Sequence, residues 1–149
     1  MVACLRGFYA MIQPMEQPQS ESFDMQKMVA DYMENGLLDN IIDMFKHDRT
    51  LYDFIPELIK DERLRVRIGT IALLETLAKE DAANTGNAIR SLIPLLNDSS
   101  PLVIGDVAYV LGLIGNRETI PFLEQQLQRE DPNVRAIVQE AIDDIRSRN

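Results

Sequence analysis

The sequence contains few of the residues that carry metal, disulfide and aromatic-core chemistry. Its 149 residues include one cysteine, one histidine and no tryptophan, and aromatic residues make up only 6%. A lone Cys4 excludes an internal disulfide and a cysteine-based metal site within one chain. A lone His47 likewise excludes a two-histidine metal site. The composition, rich in leucine, isoleucine, alanine and charged residues, favours helices, and we expect no metal or other cofactor.

Positive charge and long hydrophobic runs are also scarce. Twenty-four acidic residues against 15 basic ones give a net charge of −9, whereas a nucleic-acid backbone needs a basic surface. The apolar segment Met1–Gln13 is interrupted by Arg6, is too short to cross a membrane and lacks a signal-peptide core. We therefore expect a cytoplasmic protein that binds neither nucleic acid nor membranes, with a flexible tail over residues 1–21 and a single domain over 22–149.

Signatures of catalysis are missing as well. Gly112 and Gly115 lie at the end of a predicted helix and not between a strand and a helix, so they form no phosphate-binding loop. No Gly-x-Ser-x-Gly sequence occurs, and Cys4 in a terminal tail is a poor nucleophile. His47 is expected to contact the C-terminal end of its own helix. These features predict a protein that is not an enzyme.

The segment Asp98–Gly115 shows what the chain has instead. Ser100 is a favourable N-cap, and Pro101 takes the first helical position, where its missing N–H is not needed. Gly115 and Asn116 predict a left-handed stop. One broad apolar face results, which a lone helix cannot bury. That face carries Val103, Val107, Ala108, Val110, Leu111 and Ile114.

The same pattern recurs along the chain and predicts repeated helix pairs. Val66, Val103 and Val134 begin three copies, and Leu37 begins a weaker one, at separations of 29, 37 and 31 positions, within the range of helical-hairpin repeats. The residues four, seven, eight and eleven positions later repeat the pattern in each copy. They are Thr70, Leu73, Leu74 and Leu77 after Val66; Val107, Val110, Leu111 and Ile114 after Val103; and Val138, Ala141, Ile142 and Ile145 after Val134. The first helices are predicted near Met25–Met33, Thr50–Lys60, Ala88–Asn97 and Glu118–Arg129, with a polar loop or helix break at Glu80–Asn87.

Asp131–Arg135 (Asp-Pro-Asn-Val-Arg) and the valine-rich segment Val103–Gly115 resemble HEAT repeats of the short type, which are also found in phycocyanobilin-lyase proteins. The resemblance covers Leu51–Asn149 well and Ser22–Asp48 weakly. It implies an all-α, right-handed α-α superhelix, a HEAT-like solenoid of about four antiparallel helix pairs whose second helices line a concave side. It also implies a structural ladder between repeats, interrupted at Ile104. The ladder residues are Asp61, Arg67, Asp98, Asp131 and Arg135.

Residues of the second helices that face away from the core are candidates for binding a partner. Tyr109 and Leu113 lie side by side on one helix, an aromatic and an aliphatic residue of the kind that anchors interfaces. The alternative that both pack against neighbouring repeats stays open. Small residues at Gly69, Ala72, Gly105 and Gly112 are expected to leave a groove open. The predicted protein-binding residues are Asp106, Tyr109, Leu113, Glu140 and Asp144.

These observations predict a non-enzymatic scaffold that binds another protein on its concave helix face. The acidic residues favour a basic or amphipathic helical partner. Glu140 with Asp143 and Asp144 would also suit a cation, although a solvated cap on the last repeat is the simpler interpretation. Two alternatives remain: a chromophore lyase or its accessory subunit, on resemblance alone, and a self-associating module that dimerises through the methionine-rich helices of Met25–Phe45.

Overall fold

The computed structural model describes residues 24–148, and these form eight α-helices and no strand. The predicted flexible tail, Cys4 and the N-terminal domain boundary lie outside this range. Short 3-10 segments at Arg49–Phe54, Ile93–Asn97, Arg117–Thr119 and Gln126–Gln128 adjoin the helices. The helices are α1 (24–34), α2 (Leu38–His47), α3 (Ile55–Leu58), α4 (Leu64–Glu80), α5 (Ala82–Leu92), α6 (Pro101–Ile114), α7 (Ile120–Gln125) and α8 (Pro132–Arg148).

The helices follow one another as four pairs, α1/α2, α3/α4, α5/α6 and α7/α8. The second members of the pairs form a continuous row, because α2 packs on α4, α4 on α6 and α6 on α8. Each helix therefore buries its apolar face against the neighbouring pair as well as its own partner. The predicted all-α solenoid is confirmed.

The buried face of this row is the one that the repeat predicts. All three valine origins are buried, and so are the residues four, seven, eight and eleven positions after each of them. Thr70, the polar member of the set, is fully buried and donates its hydroxyl hydrogen to the Val66 carbonyl at 2.8 Å. The weaker copy in α2 behaves differently: Ile41 and Phe45 are buried, but Leu37 is 43% exposed. The expectation that Leu37 points inward is wrong, because it lies in the turn ahead of α2.

Two glycines end helices in different ways. Gly36 has φ +79°, and the N–H of Leu37 donates to the Tyr32 carbonyl at 2.9 Å. This is the left-handed stop expected after α1. Gly115 has φ −72° and ψ 170°, an extended backbone conformation, so the left-handed stop predicted after α6 is wrong. Glycine is needed there because a Cβ atom would collide with the carbonyl oxygen of Leu111.

The start of α6 agrees with the sequence prediction. The Ser100 hydroxyl accepts the N–H of Val103 at 3.4 Å, and Pro101 is the first residue of the helix. The predicted helix over Thr50–Lys60 is divided instead, with a 3-10 segment up to Phe54 and Pro56 in the first turn of α3. Proline removes a donor but is tolerated at a helix start, so the chain begins a new helix there.

The polar segment between α4 and α5 is shorter than expected. The predicted break over Glu80–Asn87 is confined to Asp81, and α5 begins at Ala82. The Asp81 carboxylate accepts the side-chain amide of Asn84 at 3.0 and 3.1 Å and the Tyr52 hydroxyl at 2.7 Å. Burial, reinforced by this hydrogen bond, raises the pKa of Tyr52. Asp81 thus connects the first turn of α5 to the 3-10 segment Arg49–Phe54.

Candidate functional site

A pocket of about 420 Å³ opens between the N-terminal halves of α6 and α8. Its apolar walls include Leu102 and Tyr109, which are 55% and 53% exposed, and the half-buried Ile137. Large apolar side chains that remain exposed beside a cavity are characteristic of binding surfaces. We call this pocket the α6–α8 groove; it is lined mainly by Leu102, Gly105, Asp106, Tyr109, Asn133 and Ile137.

Two glycines of α6 set the shape of the α6–α8 groove. A Cβ atom at Gly112 would lie 2.8 Å from both Cα and Cβ of Ala141, so the helices meet backbone to backbone there. At Gly105 the nearest atom to such a Cβ is the tip of Ile137, at 3.3 Å. The expectation that small residues leave a groove open therefore holds at Gly105 and is wrong at Gly112, where α8 fills the space. It is also wrong at Gly69, which Met33 covers at 3.4 Å.

Asp106 lies in the α6–α8 groove and also joins α6 to α4. Its Oδ2 is 3.4 Å from Nε of Arg67, an ion pair whose alignment falls short of a hydrogen bond. A quarter of the Asp106 side chain is exposed. Burial raises the pKa of Asp106, and the nearby Arg67 charge opposes that rise only in part. The carboxylate is thus held at the edge of solvent by the neighbouring repeat.

The predicted ladder arginines bond to main-chain oxygen atoms. Nη1 of Arg67 donates to the carbonyls of Asp61 and Glu62, both at 3.0 Å. Nη1 of Arg135 donates to the carbonyls six and five residues earlier, both at 2.8 Å. Each arginine thus closes the turn that precedes its own helix. At the equivalent position of α6, Ile104 is buried, so this bond is missing from the third pair.

The three ladder aspartates cap the turns in an equally regular way. Oδ1 of Asp61, Asp98 and Asp131 accepts the backbone N–H two residues later, each time at 2.9 Å. Hydrogen bonds of this kind hold the pKa of Asp98 below its usual range, assisted by Lys60. Among residues 24–148, ion pairs between repeats involve Asp98 and Arg67 but never join a ladder aspartate to a ladder arginine. They join Arg63 to Asp31 at 2.8 Å and Lys60 to Asp98 at 3.2 Å.

Residues 89–148, which include α6, α7 and α8, match the family model of HEAT repeats. These residues form HEAT repeats. The resemblance is thereby confirmed, and the matched segment contains the whole α6–α8 groove. No curated protein matches the chain. HEAT repeats generally act as scaffolds for protein interactions.

The five predicted binding residues occupy different places in the HEAT repeats. Asp106 and Tyr109 line the α6–α8 groove. Leu113 is half-buried and packs against the core, which is the alternative that the sequence left open for it. Glu140 and Asp144 are exposed on α8, outside the lining of the groove. The role of all five in binding stays a prediction.

Sequence reasoning missed other residues on the exposed side of these helices. Leu102 and Asn133 line the α6–α8 groove, each one residue before its valine origin. On α4, Leu64 and Ile68 are exposed although both are large aliphatic residues. The signal was present, because aliphatic residues outside the buried positions of a repeat have no place in its core. Such residues are therefore candidates for a binding surface.

Other kinds of site receive no support from residues 24–148. No group of three or more histidine, cysteine, aspartate or glutamate side chains in this range is arranged to hold a metal ion. None of the helices described here combines the length and apolar character needed to span a membrane. His47 ends α2 with Nδ1 2.7 Å from the Asp43 carbonyl oxygen, the contact expected for it. The lyase alternative stays a prediction from resemblance.

Proposed function

We propose that this protein is a non-enzymatic scaffold that binds a segment of another protein in the α6–α8 groove. One observation carries the proposal: Tyr109 stands more than half exposed beside a cavity with apolar walls. Burying an aromatic side chain of this size in an interface is strongly favourable. Aromatic residues at the edge of a pocket commonly dominate binding energy.

The partner segment we propose is a basic, amphipathic helix. A groove with apolar walls between two helices can accommodate the apolar face of a helix. The surroundings are acidic: the chain carries a net charge of −9, and Glu140 and Asp144 are exposed on the helix that forms one wall. Opposite charge on the partner would speed association and fix its orientation. A cytoplasmic location is part of the proposal and is supported by the single cysteine, which suits a reducing compartment.

Self-association is a second candidate, because apolar side chains are also exposed at the other end of the row. Met25, Tyr32 and Leu37 are each more than a third exposed in the first helix pair. An open repeat array with an apolar end can bury it against a second copy. Light scattering over a range of protein concentrations tests this. An average molar mass that rises from one chain to two as the concentration increases, and that stays at one chain in Leu37→Glu, would support dimerisation.

The scaffold proposal is tested with a displayed library of amphipathic helical peptides. We expect selection on the wild-type protein to enrich peptides whose affinity falls at least tenfold with Tyr109→Ala. Because Tyr109 is exposed, this variant should change the free energy of unfolding by no more than about 0.5 kcal/mol. Tyr32→Ala, an exposed tyrosine on α1, is the matched control and should bind as the wild type does.

A second variant separates binding from folding. Gly105→Leu places a large side chain in the α6–α8 groove and should therefore block binding of the enriched peptides. Equal binding by wild type, Tyr109→Ala and Gly105→Leu, with all three folded by circular dichroism, would overturn the proposed site.

A further inference from the structure

Two exposed aliphatic residues on α4 belong to no core. Leu64 is 60% exposed and Ile68 is 56% exposed, and they lie one helical turn apart on the same face. Both are outside the buried positions of the repeat. Scattered exposed aliphatics are ordinary, but a pair on one face beside a pocket extends the apolar surface.

The repeat places this pair next to the α6–α8 groove. Ile68 has the same position in α4 that Gly105 has in α6, and Asp106 corresponds in the same way to Ile137 of α8. Gly105 faces Ile137 across the α6–α8 junction. Because α6 follows α4 in the row as α8 follows α6, the repeat predicts that Ile68 lies on the side of α4 that faces Asp106 of α6. The neighbouring contact between Arg67 and Asp106 supports this placement independently.

Asp106 therefore lies between two apolar surfaces, with one carboxylate oxygen still available. Oδ2 is paired with Arg67, whereas Oδ1 accepts no hydrogen bond from residues 24–148. A single available oxygen suits the compact ammonium of lysine better than the bidentate fork of arginine. A lysine on a partner would add the second cation that this half-buried carboxylate lacks.

We propose that the bound segment is a helix of about four turns that crosses α4, α6 and α8, with two apolar anchors seven residues apart and a lysine between them. The proposal rests on the proposed function. The α6–α8 groove lies about one and a half interhelical spacings from α4, or about 12–15 Å. Seven helical residues rise about 10.5 Å, and the reach of two large anchor side chains spans the difference. One anchor enters the α6–α8 groove and the other contacts Leu64 and Ile68. The lysine three or four residues after the first anchor lies on the same face and meets Asp106.

The experiment measures coupling between protein and peptide positions. The probe is a displayed library of 15-residue helical peptides, about four turns long, randomised at the two anchor positions and at the position between them and selected on the wild-type protein. For the best peptide, replacing the second anchor by alanine should weaken binding to the wild type about tenfold but to Ile68→Ala less than twofold. Replacing its lysine by glutamine should weaken binding to the wild type about tenfold and to Asp106→Asn less than twofold.

The design separates this inference from the proposed function. Phe122→Ala, an exposed residue on α7, is the control and should preserve both tenfold losses. If the enriched peptides depend on Tyr109 but the two losses are unchanged in Ile68→Ala and Asp106→Asn, the crossing helix is wrong and the α6–α8 groove still binds. If no enriched peptide depends on Tyr109, both proposals fall.

Discussion

The two junctions on either side of α6 are built from the same repeat and held together differently. At the α6–α8 junction, Gly112 lets the backbones meet at Ala141, and the contact is apolar. At the α4–α6 junction, an ion pair from Arg67 to Asp106 adds a polar link between the second helices. Close approach yields dispersion contacts along both helices, whereas an ion pair near the surface contributes little by itself.

This difference explains where apolar surface stays exposed. At the α6–α8 junction the helices touch at Gly112 and separate toward Gly105, which produces a groove with an apolar floor. At the α4–α6 junction, Leu64 and Ile68 remain in solvent while Arg67 and Asp106 meet beside them. A repeat thus fixes which residues are buried, and the size of a few residues outside that set decides what each junction offers to a partner.

The largest expected effect comes from adding one methyl group where α6 and α8 are in closest contact. Gly112→Ala should reduce the free energy of unfolding by about 2 kcal/mol, since the new Cβ atom meets backbone and must push α8 away. Gly105→Ala is the matched control. There the tip of Ile137 can move aside, and replacing a helical glycine gains up to about 1 kcal/mol. Urea unfolding of both variants measures the difference, and equal stabilities would contradict the two geometries.

A smaller effect is expected from the two equivalent arginines. Arg67→Met should cost about 1–2 kcal/mol, because it removes two hydrogen bonds to the preceding turn and the ion pair to α6. Arg135→Met removes only the corresponding turn hydrogen bonds and should cost about 1 kcal/mol. Chemical denaturation of the two variants under one condition compares them. A greater loss in Arg135→Met would contradict the role of Arg67 at the α4–α6 junction.

The pH dependence of Arg67→Met sharpens this test. The Arg67 charge lowers the pKa of Asp106 against the stronger effect of burial, so its removal should raise that pKa further. A carboxyl whose pKa is raised on folding favours the folded state when protonated, and this stability is lost as the pH rises. As the pH rises above the ordinary pKa of an aspartate, about 4, the variant should therefore lose stability more steeply than the wild type. An Asp106 pKa unchanged by the substitution, measured by NMR titration, would rule this out.

Much of the fold was predictable because it depends on periodicity. The valine frame identified the buried face of α4, α6 and α8, and the Ser100–Pro101 start of α6 followed from local preferences. Both depend on residues close together in the chain. The weaker copy beginning at Leu37 failed at that residue, since the turn after Gly36 places it ahead of the helix.

The candidate site was less predictable because it depends on distances between helices. Spacing along the chain indicated that Tyr109 faces outward, but it gave equal weight to Leu113, which packs against the core. Nor does spacing distinguish Gly105 from Gly112, because how closely α8 approaches each depends on how the helices cross. The carbonyl oxygens to which Arg67 and Arg135 donate were not predicted either, because a guanidinium group can donate to backbone carbonyls as readily as to a carboxylate.

The most direct test of the central claim is to map the contact surface by NMR. The ¹⁵N-labelled protein is titrated with the best peptide from the selection on wild type, and the amide shifts of residues 24–148 are followed. The account predicts that the largest shifts occur around Leu102, Tyr109 and Ile137, with Phe122 and its neighbours on α7 unchanged. Shifts centred on α7, or on the exposed residues of α1 and α2, would contradict it.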